Sequence, residues 1–186
     1  MCGRYTLYNL KFSKLKLNQN ITPNYNINPG SKVLVFGKER RLFYAIWQLR
    51  VPWIKNLKII NARIETIEKK KVFVNTKRCV FIANGYFEWK RDDKKIPFYH
   101  TFKNEMMYFA GLINDFGACI VTCENSNKYV HNRKPVILEY SNFDKWLNRQ
   151  YIHKYNNNKT MEIFQVSEKV NFTSNNNYLN IVKKNV

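Results

Sequence analysis

The sequence predicts an α+β fold, mostly antiparallel β-sheet in a barrel-like arrangement with a few short helices, forming a single domain over residues 1–186. Three observations lead there. Short runs rich in aromatic and β-branched residues recur at Lys32–Phe36, Arg41–Trp47, Cys79–Ala83, Tyr86–Lys90, Pro97–His100, Met107–Leu112 and Ala118–Thr122. Turn-forming pairs separate several of them, at Asn84-Gly85, Asp92-Asp93 and Asn114-Asp115. Hydrophobic residues make up 45% of the chain and aromatic residues 16%, enough to build a core and to exclude global disorder.

Helical signals are fewer. Ser141–Leu147 reads as an N-capped amphipathic helix, with Ser141 as the cap and Asp144 in the first turn. A short helix is expected between Glu65 and Lys71. Beyond Asn171 the chain is polar and reads as loose, apart from a possible strand around Ile181-Val182. No internal repeat and no Gly/Ser/Pro linker divides the chain.

Lys and Arg number 32 against 13 for Asp and Glu, a formal charge of +19. That charge on a small domain points to a polyanionic partner, nucleic acid ahead of an anionic membrane surface. Runs such as Lys69–Lys71, Asn156–Asn158 and Asn175–Asn177 are also what AT-rich coding sequence produces. The arginines therefore say more, because a guanidinium makes forked contacts with phosphate. No apolar run approaches the ~20 residues that span a bilayer. Met1–Tyr5 lacks the layout of a signal peptide. The expectation is a monomer inside the cell, cytoplasmic in a prokaryote or virus-infected cell and nuclear in a eukaryote. Cys79, Cys119 and Cys123 sit in apolar runs and read as buried small hydrophobes. With no CxxC and no histidine at zinc spacing, neither a metal nor another cofactor is expected.

Cys2 stands apart. Methionine aminopeptidases remove Met1 when the next residue is small, leaving an amine and a thiol on adjacent carbons. Unperturbed, both have pKa values near ~8–8.5, so both are partly nucleophilic at neutral pH. A vicinal aminothiol condenses with an aldehyde to an imine, and the thiol then closes a thiazolidine ring, a step favoured by its intramolecularity. In Asn61–Thr66, Asn61 can orient an amine or carbonyl and Arg63 can hold a phosphate; a cap or turn is the plainer reading. On the strand after Asn84-Gly85, Tyr86, Glu88 and Lys90 share one face while Phe87 and Trp89 share the other. Glu88 reads either as a partly buried carboxylate with a raised pKa, suited to proton transfer, or as an exposed one paired with a lysine. His131 beside Arg133 and Lys134 suits proton traffic near phosphate, or is a surface loop. Trp53, next to Pro52, is the best candidate for an exposed aromatic wedge.

Taken together and in this order, these segments resemble the SRAP family, the SOS-response-associated peptidases. The resemblance is carried by Met1-Cys2-Gly3-Arg4, Tyr25–Gly30, Trp47–Trp53, Asn61–Thr66, Arg78-Cys79 through Gly85–Lys90, Phe109–Leu112, Ile120–Thr122 and His131–Val136. It runs to about Leu147 and more faintly through Val166-Ser167. It implies an abasic-site sensor that binds single-stranded DNA, including junctions with duplex, and forms a thiazolidine crosslink through Cys2. AP-lyase and self-processing activity are implied beside it. By motif, Asn61 orients the Cys2 amine, Glu88 shuttles protons and His131 assists sugar ring opening. Arg4, Arg63 and Arg133 hold phosphates, and Pro29 and Trp53 border the nucleotide channel. The cationic groove is expected to favour the Cys2 thiolate. The chain departs from the family's usual residues at Asn28, where alanine is usual, at Gln48, where glycine is common, and at Asn84 and Asn132, where aspartate is common. Two further readings stand beside this one: a cysteine peptidase using Cys2, His131 and Asn61, and a non-covalent binder of single-stranded or modified DNA.

Overall fold

The computed structural model describes residues 2–15, 20–39, 41–91, 95–150 and 160–183. Its strands in chain order are β1 (Arg4–Leu7), β2 (Asn24–Ile27), β3 (Lys32–Phe36), β4 (Leu42–Ile46), β5 (Leu49–Arg50), β6 (Lys58–Ile59) and β7 (Asn61–Arg63). They continue with β8 (Lys77–Ala83), β9 (Gly85–Arg91), β10 (Lys95–Thr101), β11 (Met107–Asn114), β12 (Gly117–Glu124), β13 (Arg133–Pro135) and β14 (Glu162–Gln165). One sheet has the order β14-β10-β9-β1-β2 and the other β13-β12-β11-β8-β3-β4. Among the described strands pairing is antiparallel except where β7 runs parallel to β12. The α+β, mostly antiparallel expectation holds; the strands form two large sheets and the small β5-β6 pair, with no closed barrel among the described residues. Each predicted run lies on a strand, while β1, β2, β5, β6, β7, β13 and β14, too short to show a period in sequence, were not foreseen.

Asn84-Gly85 is not a hairpin turn. It is the joint at which the chain leaves β8 in one sheet and enters β9 in the other. Asn84 is buried; its Oδ1 accepts from the backbone N–H groups of Tyr8 and Asn9 at 2.7 and 3.2 Å, and its own N–H donates to Thr6 O. Glycine is required next, because a Cβ on Gly85 would lie 2.4 Å from the Tyr99 ring and 2.7 Å from the His100 carbonyl oxygen. From this joint the two faces of β9 diverge. Tyr86 packs into the main core, against Phe109 and near Tyr5, Trp47 and Phe81. Phe87 packs into a second core with Tyr99, Val166, Val170 and Ile181. Truncating a side chain as fully buried as Phe87 costs ~3–5 kcal/mol.

Several local expectations are corrected. The helix α1 spans Phe143–Leu147, preceded by a 3-10 turn at Tyr140–Asn142, and Ser141 does not cap it. The tighter turn takes Ser141 into its own interior and moves the N-cap to Asn142, which makes no side-chain capping bond. Tertiary burial holds α1 instead: Phe143, Trp146 and Leu147 are buried, and the Trp146 indole donates to Cys79 O at 2.8 Å. The helix expected after Glu65 resolves into two 3-10 turns, Ile64–Thr66 and Lys71–Phe73. The segment beyond Asn171 is not loose, and Ile181 lies in a 3-10 turn, Tyr178–Ile181, rather than a strand. Asn26 anchors that segment by donating to Val170 O, Phe172 O and Asn175 O, while Asn176 Oδ1 accepts from Tyr25 N. These asparagines satisfy backbone groups that no strand partner reaches. Cys123 is only partly buried. The pair Asp92-Asp93 and the run Asn156–Asn158 lie outside the described residues.

Candidate active site

Cys2 is placed by the pairing of β1 with β9. Arg4 faces Phe87, Tyr5 faces Tyr86 and Thr6 faces Gly85. Continuing that register brings Cys2 and Gly3 alongside Trp89 and Glu88. Glu88 itself is buried, at 3% exposure. Of its two readings, the buried carboxylate is the one the fold adopts. The second sheet delivers Asn61, which opens β7 and pairs with Ile120 of β12. Its Nδ2 donates to the Cys2 carbonyl oxygen at 2.8 Å. Its Oδ1 is buried and has no hydrogen-bond partner among the described residues.

The Cys2 side chain is fully buried, with Sγ 3.9 Å from the Arg4 carbonyl oxygen. Burial pushes its thiol well above the ordinary range, and the Glu88 carboxylate adds to the rise. This overturns the expectation that a cationic groove favours the thiolate. At this sulfur, desolvation and a near carboxylate outweigh the remote lysines and arginines.

A cleft of about 400 Å³ is bordered by Gly3, Arg4, Ile60, Glu88, Trp89, Lys95, His131 and Asn171; Cys2 and Asn61 adjoin its lining residues Gly3 and Ile60 in sequence but do not themselves border it. His131 also borders a neighbouring hollow with Arg63, Glu65, Glu124, Asn132 and Arg133. The structure therefore brings Cys2, Asn61, Glu88 and His131 into one neighbourhood, drawn from both sheets and from the β12–β13 connection. Arg4 is already engaged: it donates to Asn26 Oδ1 at 2.6 Å and Val170 O at 2.9 Å, and its guanidinium stands 5.8 Å from the Trp89 ring centre. Its burial lowers the guanidinium pKa from the ordinary value. Arg63 is exposed on β7, Pro29 is half-buried between β2 and β3, and Trp53 is 59% exposed between β5 and β6. Arg133 forks onto Glu65, at 2.9 and 3.0 Å, and reaches Thr122 O at 2.7 Å. Among the described residues no group of His, Cys, Asp and Glu is arranged to hold a metal ion. Nor is any helix long and apolar enough to cross a membrane.

Sequence reasoning missed Lys95, Asn171 and the partner of Arg133. Asn171 Oδ1 accepts from the Trp89 indole at 2.6 Å and so fixes one wall of the cleft from the C-terminal segment. No short-range pattern announces such a contact. Glu65 stood inside the quoted Asn61–Thr66 motif, and that was the available signal.

Comparison with known proteins gives the family. The chain is 32% identical to Abasic site processing protein YoaM of Bacillus subtilis, over 95% of each chain. It is 33% identical to Abasic site processing protein YoqW of Bacillus phage SPbeta, over 95% of this chain and 96% of that one. A crystal structure of a protein from Bacteroides thetaiotaomicron has a similar fold, with a TM-score of 0.73 at 23% identity, covering 88% of this chain and 87% of that one. The description of the SOS response associated peptidase (SRAP) family matches residues 1–173, and the chain belongs to that family.

Proposed function

We propose that this protein processes abasic sites in DNA, and that Cys2, once Met1 is removed, bonds covalently to the opened sugar. The observation that carries the reading is the grouping of a second-position cysteine with a buried glutamate and an asparagine already bonded to the cysteine's own carbonyl. The unpartnered Asn61 Oδ1 is an acceptor suited to an N–H of the freed Cys2 amine. That bond orients the nitrogen lone pair toward the incoming aldehyde.

The chemistry balances without a cofactor. The amine attacks the aldehyde carbon, and the carbinolamine loses the aldehyde oxygen as water to give an imine. The thiol then adds across C=N, forming the S–C bond and closing the ring. The thiol proton ends on nitrogen, so the net change is the loss of one water with no oxidation or reduction. Because burial keeps the thiol neutral, that proton needs an acceptor in the site. Glu88 is the group we assign to take it and return it to nitrogen. His131 assists opening of the closed sugar. Arg63 and Lys95 supply phosphate contacts. For Arg133 to do so, a phosphate must share a fork already closed on Glu65. Exposed Trp53, which can stack on an unpaired base, supports a single-stranded substrate.

The test is a denaturing gel. Purified protein with an abasic single strand should give a band that survives denaturation, absent with intact DNA and with Cys2→Ala. Mass spectrometry should find Cys2 at the mature N-terminus. A gel-stable band given equally by Cys2→Ala would sink the assignment.

A further inference from the structure

We propose that Glu65 is a positioning residue which, through Arg133, holds His131 as a neutral imidazole with its proton on Nε2; the proposal rests on the sugar-opening role given to His131 above. The Arg133 backbone N–H donates to His131 Nδ1 at 3.0 Å. A ring nitrogen that accepts a hydrogen bond carries no proton, so the neutral ring carries its proton on the other nitrogen.

That bond spans only two residues, so it lasts only while the chain keeps its turn from His131 to Arg133. Both sides of the turn are tied. Asn125 donates from its side chain to His131 O and from its backbone to Asn132 O, each at 2.9 Å. On the other side the Arg133 guanidinium is closed on both Glu65 oxygens and on Thr122. Thr122 is fully buried on β12 and pairs with Arg63 of β7 and Pro135 of β13. Glu65 follows β7 directly, so the Glu65–Arg133 fork staples the end of β7 to the start of β13. The Arg133 side chain is 13% exposed and that of Glu65 47%. Forked, charge-assisted contacts of this kind fix direction as well as distance.

The consequence is chemical. Protonating Nδ1 would set one N–H against another and break the turn. His131 in the closed turn therefore serves the sugar as a neutral hydrogen-bond donor, not as an imidazolium. Among the described residues, the charged groups that share its two hollows are Arg4, Glu88 and Lys95 in the cleft and Arg63, Glu65, Glu124 and Arg133 in the other.

A long-range proton–nitrogen NMR spectrum of histidine-labelled protein, without DNA and slightly above neutral pH, reads the tautomer directly. The wild type should show His131 as the single Nε2–H form. Glu65→Gln and Arg133→Lys should each show averaged tautomers and crosslink abasic DNA about tenfold more slowly, the scale typical of lost outer partners that orient a histidine. Arg133→Lys keeps the charge but loses the fork, so a mere phosphate contact at Arg133 predicts an unchanged tautomer. A wild-type ring that is averaged or protonated on Nδ1 overturns the proposal. So does a single Nε2–H form at wild-type rate in both variants. If no Cys2-dependent crosslink forms at all, the function above fails, while the tautomer still decides the positioning claim.

Discussion

Replacing Glu88 by glutamine exchanges one oxygen for an amide at nearly constant volume, so it probes charge and proton transfer rather than packing. Two effects oppose each other. Losing an internal proton acceptor slows thiazolidine closure, and groups in this role typically contribute about 10²–10⁴-fold. Losing the Glu88 charge also relieves part of the rise in the Cys2 thiol, which helps the thiolate. Burial is the larger cause of that rise and Glu88 the lesser. The relief therefore offsets only part of the loss, and the net expectation is crosslinking slowed by at least about tenfold. Binding of an uncleavable abasic analogue should not weaken, because a negative charge has left a basic cleft. The assay is single-turnover crosslinking at saturating protein, quenched into a denaturing gel across neutral pH. A Glu88→Gln rate within about threefold of wild type would refute the proton-shuttle argument, since that is under 1 kcal/mol of barrier.

The remaining predictions concern other parts of the molecule. Gly85→Ala forces a Cβ against the buried Tyr99 ring and the His100 carbonyl, neither of which can swing aside. It should lower stability by about 1–3 kcal/mol, read as a lower urea midpoint at unchanged slope. Trp53→Ala removes an exposed ring, so stability should hold within about 0.5 kcal/mol while affinity for single strands falls by the ~1–3 kcal/mol of one stacked base. The raised thiol of Cys2 is protonated at neutral pH, and its thiolate fraction grows only as pH climbs toward that raised value. Alkylation by iodoacetamide should therefore reach partly buried Cys123 before Cys2, and Cys2 should quicken as pH rises; mass spectrometry of the modified peptides tests both statements.

What the sequence made legible was whatever local pattern encodes. The long strands β8 to β12 each carry enough aromatic and β-branched residues to announce themselves. The alternation that set Glu88 apart from Phe87 and Trp89 is a property of any strand, and it separates the two cores as expected. Cys2, Asn61 and His131 were legible as chemistry because their residue types are specific. Their convergence was not, because it depends on which sheet each strand joins. Asn84-Gly85 has the composition of a hairpin turn, yet buried contacts to Tyr8, Asn9 and Thr6 make it a joint between sheets. Ser141 failed as a cap because a preceding 3-10 turn, set by the packing of Phe143 and Trp146, moved the helix start past it. The run Asn175–Asn177 looked like compositional bias and instead ties the C-terminal segment to β2.

The four departures from the family's usual residues divide by where the fold puts them. Asn84 lies at the start of β9, four residues before Glu88, and its amide is wholly used. Its oxygen accepts from two backbone N–H groups, and its nitrogen donates to Asn9 O at 3.2 Å and contacts the Met106 sulfur. An aspartate there would keep the acceptors, lose the donor and bury a charge, which costs more than burying an amide. Asparagine at 84 thus bears on how the two sheets are joined, not on the charge at the cleft. Asn28 and Gln48 are likewise local: Asn28 bonds the Pro29 carbonyl, and the Gln48 carbonyl sits where a side chain on Gly117 would collide. Only Asn132 borders a hollow shared with His131, and it is exposed there. Of the four, position 132 is the one where an aspartate would put a negative charge next to the site. Among the described residues Glu65 and Glu124 are the carboxylates bordering that hollow, and Glu65 is the one forked on Arg133.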